Sequence, residues 1–344
     1  MKSLLKYGAP VTKIHAMRAG MMTYEKYKKL ALCTSVYDAV DYLEKNTAYS
    51  HSVKGFGTDV HRAALEKALK GAVFADYLKL RRYLDKRDRE FVSASLKRYE
   101  TDFLKTAVRN CMIEKPSKSV SDFGYSKAFE ELADFSVRSV VEADSMPGLI
   151  KSLEGTPYSD VLKTLYSRGK SPSLFETETN LDIYYFKNLQ SIIKRYFEGD
   201  MEKRLERAVG IEADILNLFW IYRCKKYYRL QNEIVYAMII PVHGFLTNER
   251  IRTMVETDDF EAELRRINPL KIPIENYTNE AAGRMHLKAA VQILEKLRKE
   301  DPYSVIAVIS YLLAKELETE NVCSVIEGIR YNLKSEEIMK YVIL

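Results

Sequence analysis

Apolar residues recur every three or four positions along most of this 344-residue chain, and that spacing restricts its fold more than any other feature. The stretch "ALEKALKGAVFADYLKLRRYL" places Leu65, Leu69 and Val73 on one stripe, with charged residues on the opposite side. This spacing is typical of amphipathic helices, and the period-two alternation of half-buried strands is scarce in the chain. We therefore predict an almost entirely α-helical protein.

The composition predicts a folded protein with two or three hydrophobic cores. Hydrophobic residues make up 47% of the chain and charged residues 30%, which is typical of globular proteins. The longest apolar runs, Ile234–Val242 and Val305–Ala314, are much shorter than the ~18–20 residues that cross a bilayer. The N-terminus has no apolar signal-peptide core, so we expect a cytoplasmic protein whose membrane association is peripheral. Four cysteines without C-x-x-C spacing are predicted to be reduced thiols: Cys33, Cys111, Cys224 and Cys323.

One short motif occurs twice, a domain's length apart. "LEKNTAYS" begins at Leu43 and "LEGTPYS" begins at Leu153, so that Tyr49 and Tyr158 lie 109 residues apart. In the second copy Thr156 precedes a proline, which predicts a helix N-cap followed by a proline at the first helical position. We interpret this corner motif as a turn between helices. A third copy is expected near Leu264, but the Thr-x-Tyr sequence is absent between Leu264 and Ile274.

A second motif, Glu-x-Asp/Glu-x-x-Asn/Lys, occurs three times at a similar interval. Its copies begin at Glu100, Glu212 and Glu316. Repetition at this interval predicts three related helical lobes of roughly 110 residues each. The predicted boundaries are residues 1–113 for lobe 1, 114–125 for a linker, 126–230 for lobe 2 and 231–344 for lobe 3.

The first glutamate of each acidic motif falls within an apolar stripe of its helix. Glu100, Glu212 and Glu316 are therefore predicted to be buried polar residues that need a hydrogen-bonding or cationic partner. Three interpretations are open: structural pairs that fix helix register, residues that line a central cavity and meet a partner, or a metal or catalytic role. The structural interpretation is favoured, and a metal or catalytic role is the least favoured because the three residues would lie in separate predicted lobes.

The sequence contains no motif of an established catalytic or cofactor site. Its five histidines include no H-E-x-x-H, and neither G-x-x-x-x-G-K-[ST] nor G-x-S-x-G is present. We predict no catalytic residues, no metal, no cofactor and no small-molecule substrate.

Two clusters mix cations with aromatic residues, at Leu80–Arg89 and at Tyr222–Leu230. They are typical of a solvated helix end, of a surface that binds an acidic protein or, less often, of a nucleic-acid surface. The net charge of +6 and pI of about 8.8 suit an acidic partner or an anionic membrane, but fall short of a nucleic-acid signature. Repeat position selects six candidate partner-interface residues: Arg223, Lys225, Lys226, Arg229, Glu318 and Glu320.

Two further stretches carry a resemblance to a known family. "AKELETENVCSVIEGI" (Ala314–Ile329) closely resembles a Lys-Glu-x-Glu-x-x-Asn-Ile/Val stretch of the C subunit of the archaeal and bacterial A/V-type rotary ATPases, which corresponds to the d subunit of the eukaryotic vacuolar pump. "KIHAMRAGMMTYEKYKKL" (Lys13–Leu30) is similar to the opening helix of that family, with Met21 and Met22 in place of the usual leucines. The order of these motifs and the chain length both fit the family.

The resemblance implies an all-α, three-lobed, socket-shaped rotor subunit without catalytic residues. Such a protein receives the lower end of the central stalk and sits on the membrane ring of proteolipid subunits, at the cytoplasmic face. Its expected partners are therefore the central-stalk subunits and the ring, not nucleic acid. The alternative is a free helical-repeat scaffold that binds another protein or RNA, and an enzyme is a distant third possibility.

Overall fold

Helices account for nearly all regular secondary structure. The computed structural model describes residues 2–112, 127–167, 172–267 and 281–344, and these ranges form α-helices and a π-helix without any β-strand. The all-α prediction is confirmed, and apolar residues at helical spacing bury one side of many of the helices. The predicted linker, residues 114–125, lies outside the described residues.

Close contacts divide the chain into two compact units, and neither is continuous in sequence. Unit 1 contains the described residues of Met1–Arg89, Ser117–Glu142 and Arg298–Leu344. Unit 2 contains those of Glu90–Pro116 and Ala143–Leu297. The boundary between the units falls within two helices, α6 (Lys86–Met112) and α16 (Ala281–Glu300). The division into three successive lobes stays a prediction.

Unit 1 is built around one long helix, α17, which begins after Ser304. Apolar residues lie on every side of this helix, so neighbouring helices can cover it all round. The hydrophobic core of unit 1 includes Tyr27, Leu43 and Val325, which are all almost fully buried. The helices of unit 1 are α1 (Lys2–Ala19), α2 (Tyr24–Ala31), α3 (Val36–Asn46), α4 (Ser50–Val53), α5 (Arg62–Arg81), α7 (Lys127–Leu132), α8 (Val137–Val141), α17 (Val305–Arg330) and α18 (Ser335–Met339).

Unit 2 is built on a pair of long helices and a group of shorter ones. Thr156 accepts a hydrogen bond from the Ser159 N–H and Pro157 is the first residue of α10, as the corner motif predicts. Gly210 lies so close to the carbonyl of His243 that any side chain there would overlap it. The helices of unit 2 are α9 (Met146–Ser152), α10 (Pro157–Tyr166), α11 (Leu174–Tyr196), α12 (Gly199–Arg223), a π-helix (Cys224–Tyr228), α13 (Asn232–Ala237), α14 (Asn248–Glu256) and α15 (Phe260–Ile267).

Candidate functional site: buried polar clusters and a basic aromatic turn

The first acidic motif lies on α6 and binds a corner motif. Glu100 is 4% exposed, and its carboxylate accepts a hydrogen bond of 2.7 Å from the hydroxyl of Tyr158. Tyr158 is fully buried and belongs to the second corner motif, at the start of α10. The two repeated motifs therefore meet in unit 2, where a neutral donor compensates part of the cost of burying a carboxylate.

The second acidic motif lies on α12 and binds a cation of α6. Glu212 is 7% exposed and pairs with the guanidinium of Arg98 at 3.0 Å. Arg98 also donates to the hydroxyl of Tyr185 on α11, at 3.4 Å. Three helices of unit 2 therefore share one buried polar cluster.

In the third acidic motif, on α17, the buried glutamate lies two residues after the predicted one. Glu316 is only half-buried, whereas Glu318 is 4% exposed. The apolar stripe gives the wrong residue because α17 is apolar nearly all round, so that its packing, and not one stripe, selects the buried glutamate. Since it is buried, Glu318 is also not a surface residue available to a partner, contrary to its selection as an interface candidate.

Glu318 is the centre of a buried polar cluster in unit 1. Its carboxylate binds the ammonium of Lys315 and the backbone N–H of Met22, each at 2.5 Å. The Lys315 ammonium also lies 3.8 Å from the centre of the Tyr49 ring, and the Tyr49 hydroxyl lies 3.0 Å from that of Thr319. Burial and the nearby glutamate raise the pKa of Tyr49 well above its ordinary value. The first corner motif therefore packs on α17, far from it in sequence.

The middle residue of the second motif, Asp214, organises a loop. Its Oδ2 atom accepts the backbone N–H groups of Gly244 at 2.8 Å, Phe245 at 2.6 Å and Leu246 at 2.8 Å. Its Oδ1 atom lies 3.2 Å from Nδ1 of His243. A fully buried carboxylate with several N–H donors is well satisfied, so Asp214 fixes the turn that precedes α14.

The last residue of the motif performs the same task in α12 and in α17. Asn217 accepts the N–H of Ile240 at 2.8 Å and donates to its carbonyl at 3.0 Å. Asn321 accepts the N–H of Ile343 at 2.9 Å and donates to its carbonyl at 2.7 Å. In each case one side-chain amide satisfies both backbone groups of a residue 22 or 23 positions later. Two copies of the motif thus make equivalent hydrogen bonds, one copy in each unit.

In α6 the corresponding residue is a lysine with a different partner. Lys105 pairs at 2.5 Å with Asp182 of α11, and both side chains are largely buried. Burial raises the pKa of Asp182 to about 6, although Lys105 opposes this shift. Sequence reasoning missed Asp182 because its partner lies 77 residues away, and a helical stripe identifies a buried acid only where it breaks an otherwise apolar pattern.

A basic aromatic turn, Arg223–Arg229, begins at the last residue of α12 and contains four of the six interface candidates. Arg223 donates to the hydroxyl of Tyr228 at 3.0 Å and its guanidinium lies 5.7 Å from the Trp220 ring. The Lys225 ammonium binds the backbone carbonyls of Val255, at 2.5 Å, and Thr257. Arg223 and Lys225 therefore have intramolecular partners and stabilise the turn itself.

The other candidates are more accessible. Lys226 is exposed and lies 3.9 Å from a carboxylate oxygen of Glu261, while Arg229 is exposed with a backbone φ of 47°. Glu320 is half-buried and raises the pKa of Lys70 electrostatically, although desolvation opposes the shift. Among the predicted candidates, Lys226 and Arg229 are thus the cations presented to solvent.

The described ranges contain neither a cluster of metal-binding side chains nor a membrane-spanning helix. Those residues hold no group of three or more His, Cys, Asp or Glu side chains arranged to bind a metal ion. Within the same ranges, no helix is both long enough and apolar enough to span a bilayer.

Comparisons with known proteins place the chain in a family. The family model described as "ATP synthase (C/AC39) subunit" matches residues 10–341. A protein from Desulfurococcus sp., named as the C subunit of an A-type ATP synthase, is 25% identical over 96% of this chain and 89% of its own length. Proteins of the same name from Thermococcus kodakarensis and Methanosarcina mazei are each 24% identical over 98% of this chain, covering 90% and 93% of their own lengths. Because the match spans nearly the whole chain and includes both stretches that carry the resemblance, this protein belongs to the ATP synthase (C/AC39) subunit family.

Proposed function

We propose that this chain is a non-catalytic rotor subunit of an A/V-type ATPase that couples the central stalk to the membrane proteolipid ring. The observation that carries the proposal is the family match over residues 10–341, together with relatives named as C subunits of A-type ATP synthases. In this role the protein lies at the cytoplasmic face as a peripheral protein and transmits rotation for ion translocation.

The buried polar clusters suit a part that transmits torque. Side chains such as Asp214, Asn217 and Asn321 tie long helices to loops many residues away through pairs or triplets of hydrogen bonds. Fully satisfied buried networks limit the alternative arrangements of packed helices. A rotor adaptor needs this rigidity, because any bending between stalk and ring would absorb the rotation that it transmits.

The charge balance also suits the proposal. A net charge of +6 favours encounter with an acidic stalk end or with anionic lipid beside the ring. Lys226 and Arg229 are exposed cations of the kind that such an encounter uses.

Co-purification tests the proposal. An affinity-tagged copy, expressed in cells that contain the complete complex, should retain the central-stalk subunits after solubilisation and the proteolipid ring in a mild detergent. Because we propose a peripheral protein, washing the membranes without detergent should also release it. Association with neither the stalk nor the ring would refute the rotor proposal and favour a free scaffold.

Activity measurements on the purified chain test the non-catalytic part. We expect no ATP hydrolysis by the chain alone, because its role is mechanical. Hydrolysis that co-elutes with the monomer and responds to substitution of a residue of this chain would contradict the proposal.

A further inference from the structure

A groove with mainly apolar walls lies in unit 2 beside α14. Its volume is about 510 Å³, which is within the ~300–1,000 Å³ typical of binding pockets. Ile251 forms part of its floor and is 4% exposed, whereas Tyr236, on its edge, is 37% exposed. The lining residues are Tyr236, Ile239, Pro241, His243, Asn248, Ile251, Arg252 and Glu256.

The polar edge of the groove is already satisfied. Glu256 accepts two hydrogen bonds from Arg252, at 3.0 and 3.2 Å, and one from the hydroxyl of Tyr236 at 3.2 Å. These bonds hold the Tyr236 ring at the edge of the groove. The groove therefore offers mainly hydrocarbon surface, which suits aliphatic or aromatic side chains of a ligand.

The basic aromatic turn adjoins this groove through the C-terminal end of α14. Lys225 binds the carbonyls of Val255 and Thr257, the two neighbours in sequence of the groove residue Glu256. The positions of the turn and of the groove are thus linked through three consecutive residues. The groove and the turn therefore adjoin at the C-terminal end of α14.

The turn presents positive charge to solvent at Lys226 and Arg229. The side chain of Arg229 has no hydrogen-bond or ion-pair partner among the described residues, and the residue has a positive φ of 47° at the end of the π-helix. Lys226 has a long contact with Glu261, at 3.9 Å, in which both side chains are about half exposed, and its ammonium lies 5.0 Å from the centre of the Tyr222 ring. Tyr227 and Tyr228, between these cations, are 55% and 47% exposed.

We propose that the groove and the turn together bind an acidic amphipathic helix of a protein partner. Its apolar side chains, spaced three or four residues apart, enter the groove, and its carboxylates meet Lys226 and Arg229. A protein helix is favoured over nucleic acid because the groove takes apolar side chains, whereas nucleic acid would need more phosphate contacts than two cations supply. The proposal rests on the proposed function in one respect, that another component of the ATPase supplies the helix.

Fluorescence anisotropy with the full-length chain tests this surface directly. The probe is a labelled synthetic peptide of about 20 residues, with Leu and Phe on one side of the helix and Glu on its flanks. A second peptide carries Lys at every Glu position, and a third probe is an oligothymidine of about 20 nucleotides. We expect the acidic peptide to bind more tightly than either other probe. Its binding should weaken as the NaCl concentration rises from about 0.05 to about 0.3 M.

Charge-reversal variants locate the binding. The double variant Lys226→Glu with Arg229→Glu should lower the affinity for the acidic peptide by on the order of tenfold, because two attractive exposed pairs become repulsive. The matched control is Lys194→Glu, which makes the same kind of charge change on exposed α11 surface and should leave the affinity unchanged. Tyr236→Ala should weaken binding by several-fold through loss of the groove wall, and Tyr236→Phe should retain it. Circular dichroism spectra and thermal midpoints of all variants should match those of the parent chain.

Several results would overturn the proposal. They are no binding of the acidic peptide, equal binding of the Lys peptide, tighter binding of the oligonucleotide, or equal losses in Lys194→Glu and in the double variant. A chain that retains stalk and ring but fails these tests would refute the docking surface and leave the rotor function standing. A chain that passes them but co-purifies with neither stalk nor ring would refute the rotor function alone.

Discussion

Replacing Asn217 by Leu tests whether the asparagine of the acidic motif stabilises α12 through the peptide groups of Ile240. Leu has a similar volume but offers no hydrogen bond, so the variant leaves a buried N–H and a buried carbonyl without partners. Asn217 and Ile240 are both fully buried, so water cannot replace the lost bonds. At about 1–3 kcal/mol for each unsatisfied group, less the gain from apolar burial, the expected loss is about 3 kcal/mol.

The chain provides both a reporter and a matched control for this test. Its one tryptophan, Trp220, lies one turn from Asn217 on α12, so its fluorescence during urea unfolding reports on unit 2. A loss of about 3 kcal/mol should lower the midpoint of thermal unfolding by about 6–12 °C for a unit of this size. Asn321→Leu, at the equivalent motif position, removes two equivalent bonds, but Ile343 is half-exposed, so water can reach its peptide groups. We expect a loss of only about 1 kcal/mol for this variant, measured by circular dichroism.

The comparison of the two variants can refute the reasoning. If Asn217→Leu costs no more than Asn321→Leu, burial does not set the value of these bonds. If neither variant is destabilised, the asparagines do not stabilise the helix-to-loop contacts that the structure shows.

Three further predictions concern other buried positions. Gly210→Ala should destabilise the chain by about 2 kcal/mol or more, because the added methyl overlaps the neighbouring backbone. Gly8→Ala, in an open stretch of α1, should instead be neutral or stabilise the chain by about 0.5–1 kcal/mol. Thermal midpoints of the two variants check this prediction, and equal midpoints would contradict it. The pKa of Asp182 is higher in the native state than in the unfolded state, so the native state binds this proton more tightly. The contribution of Asp182 to stability should therefore fall as the pH rises from about 4 to about 6. Over this range the midpoint of urea unfolding should depend less on pH in Asp182→Asn than in the parent chain. Lys315→Met should lower the free energy of unfolding by about 3–5 kcal/mol, because it leaves the buried Glu318 without its cation. The double variant Lys315→Met with Glu318→Gln should recover part of that loss. A double variant that is less stable than the single one would contradict this account.

The sequence predicted the helices well because helix formation depends on neighbouring residues. Apolar spacing identified the long helices, and Thr156 with Pro157 identified the start of α10. The acidic motif also selected positions that do carry buried polar contacts, including Glu100 and Glu212. These features are local, so they survive in one sequence without knowledge of what packs against them.

The contacts of the candidate site were harder to predict because they join residues far apart in sequence. Glu318 is buried in place of Glu316, since neighbours on all sides of α17 decide its burial. Lys225 looked like a surface cation, but it binds carbonyls about 30 residues away. The groove beside α14 had no signal in the sequence, because its walls come from residues that form no motif.

The sequence by itself determined that this protein is helical, that it carries repeated corner and acidic motifs, and which family it resembles. Only the tertiary structure decided which copies of those motifs meet. Tyr49 contacts α17 and Tyr158 contacts α6, although neither helix adjoins its tyrosine in sequence. The physical reason is that a helix forms from hydrogen bonds to residues four positions away, whereas a buried carboxylate or tyrosine is satisfied by whichever polar group the packing of helices brings within about 3 Å.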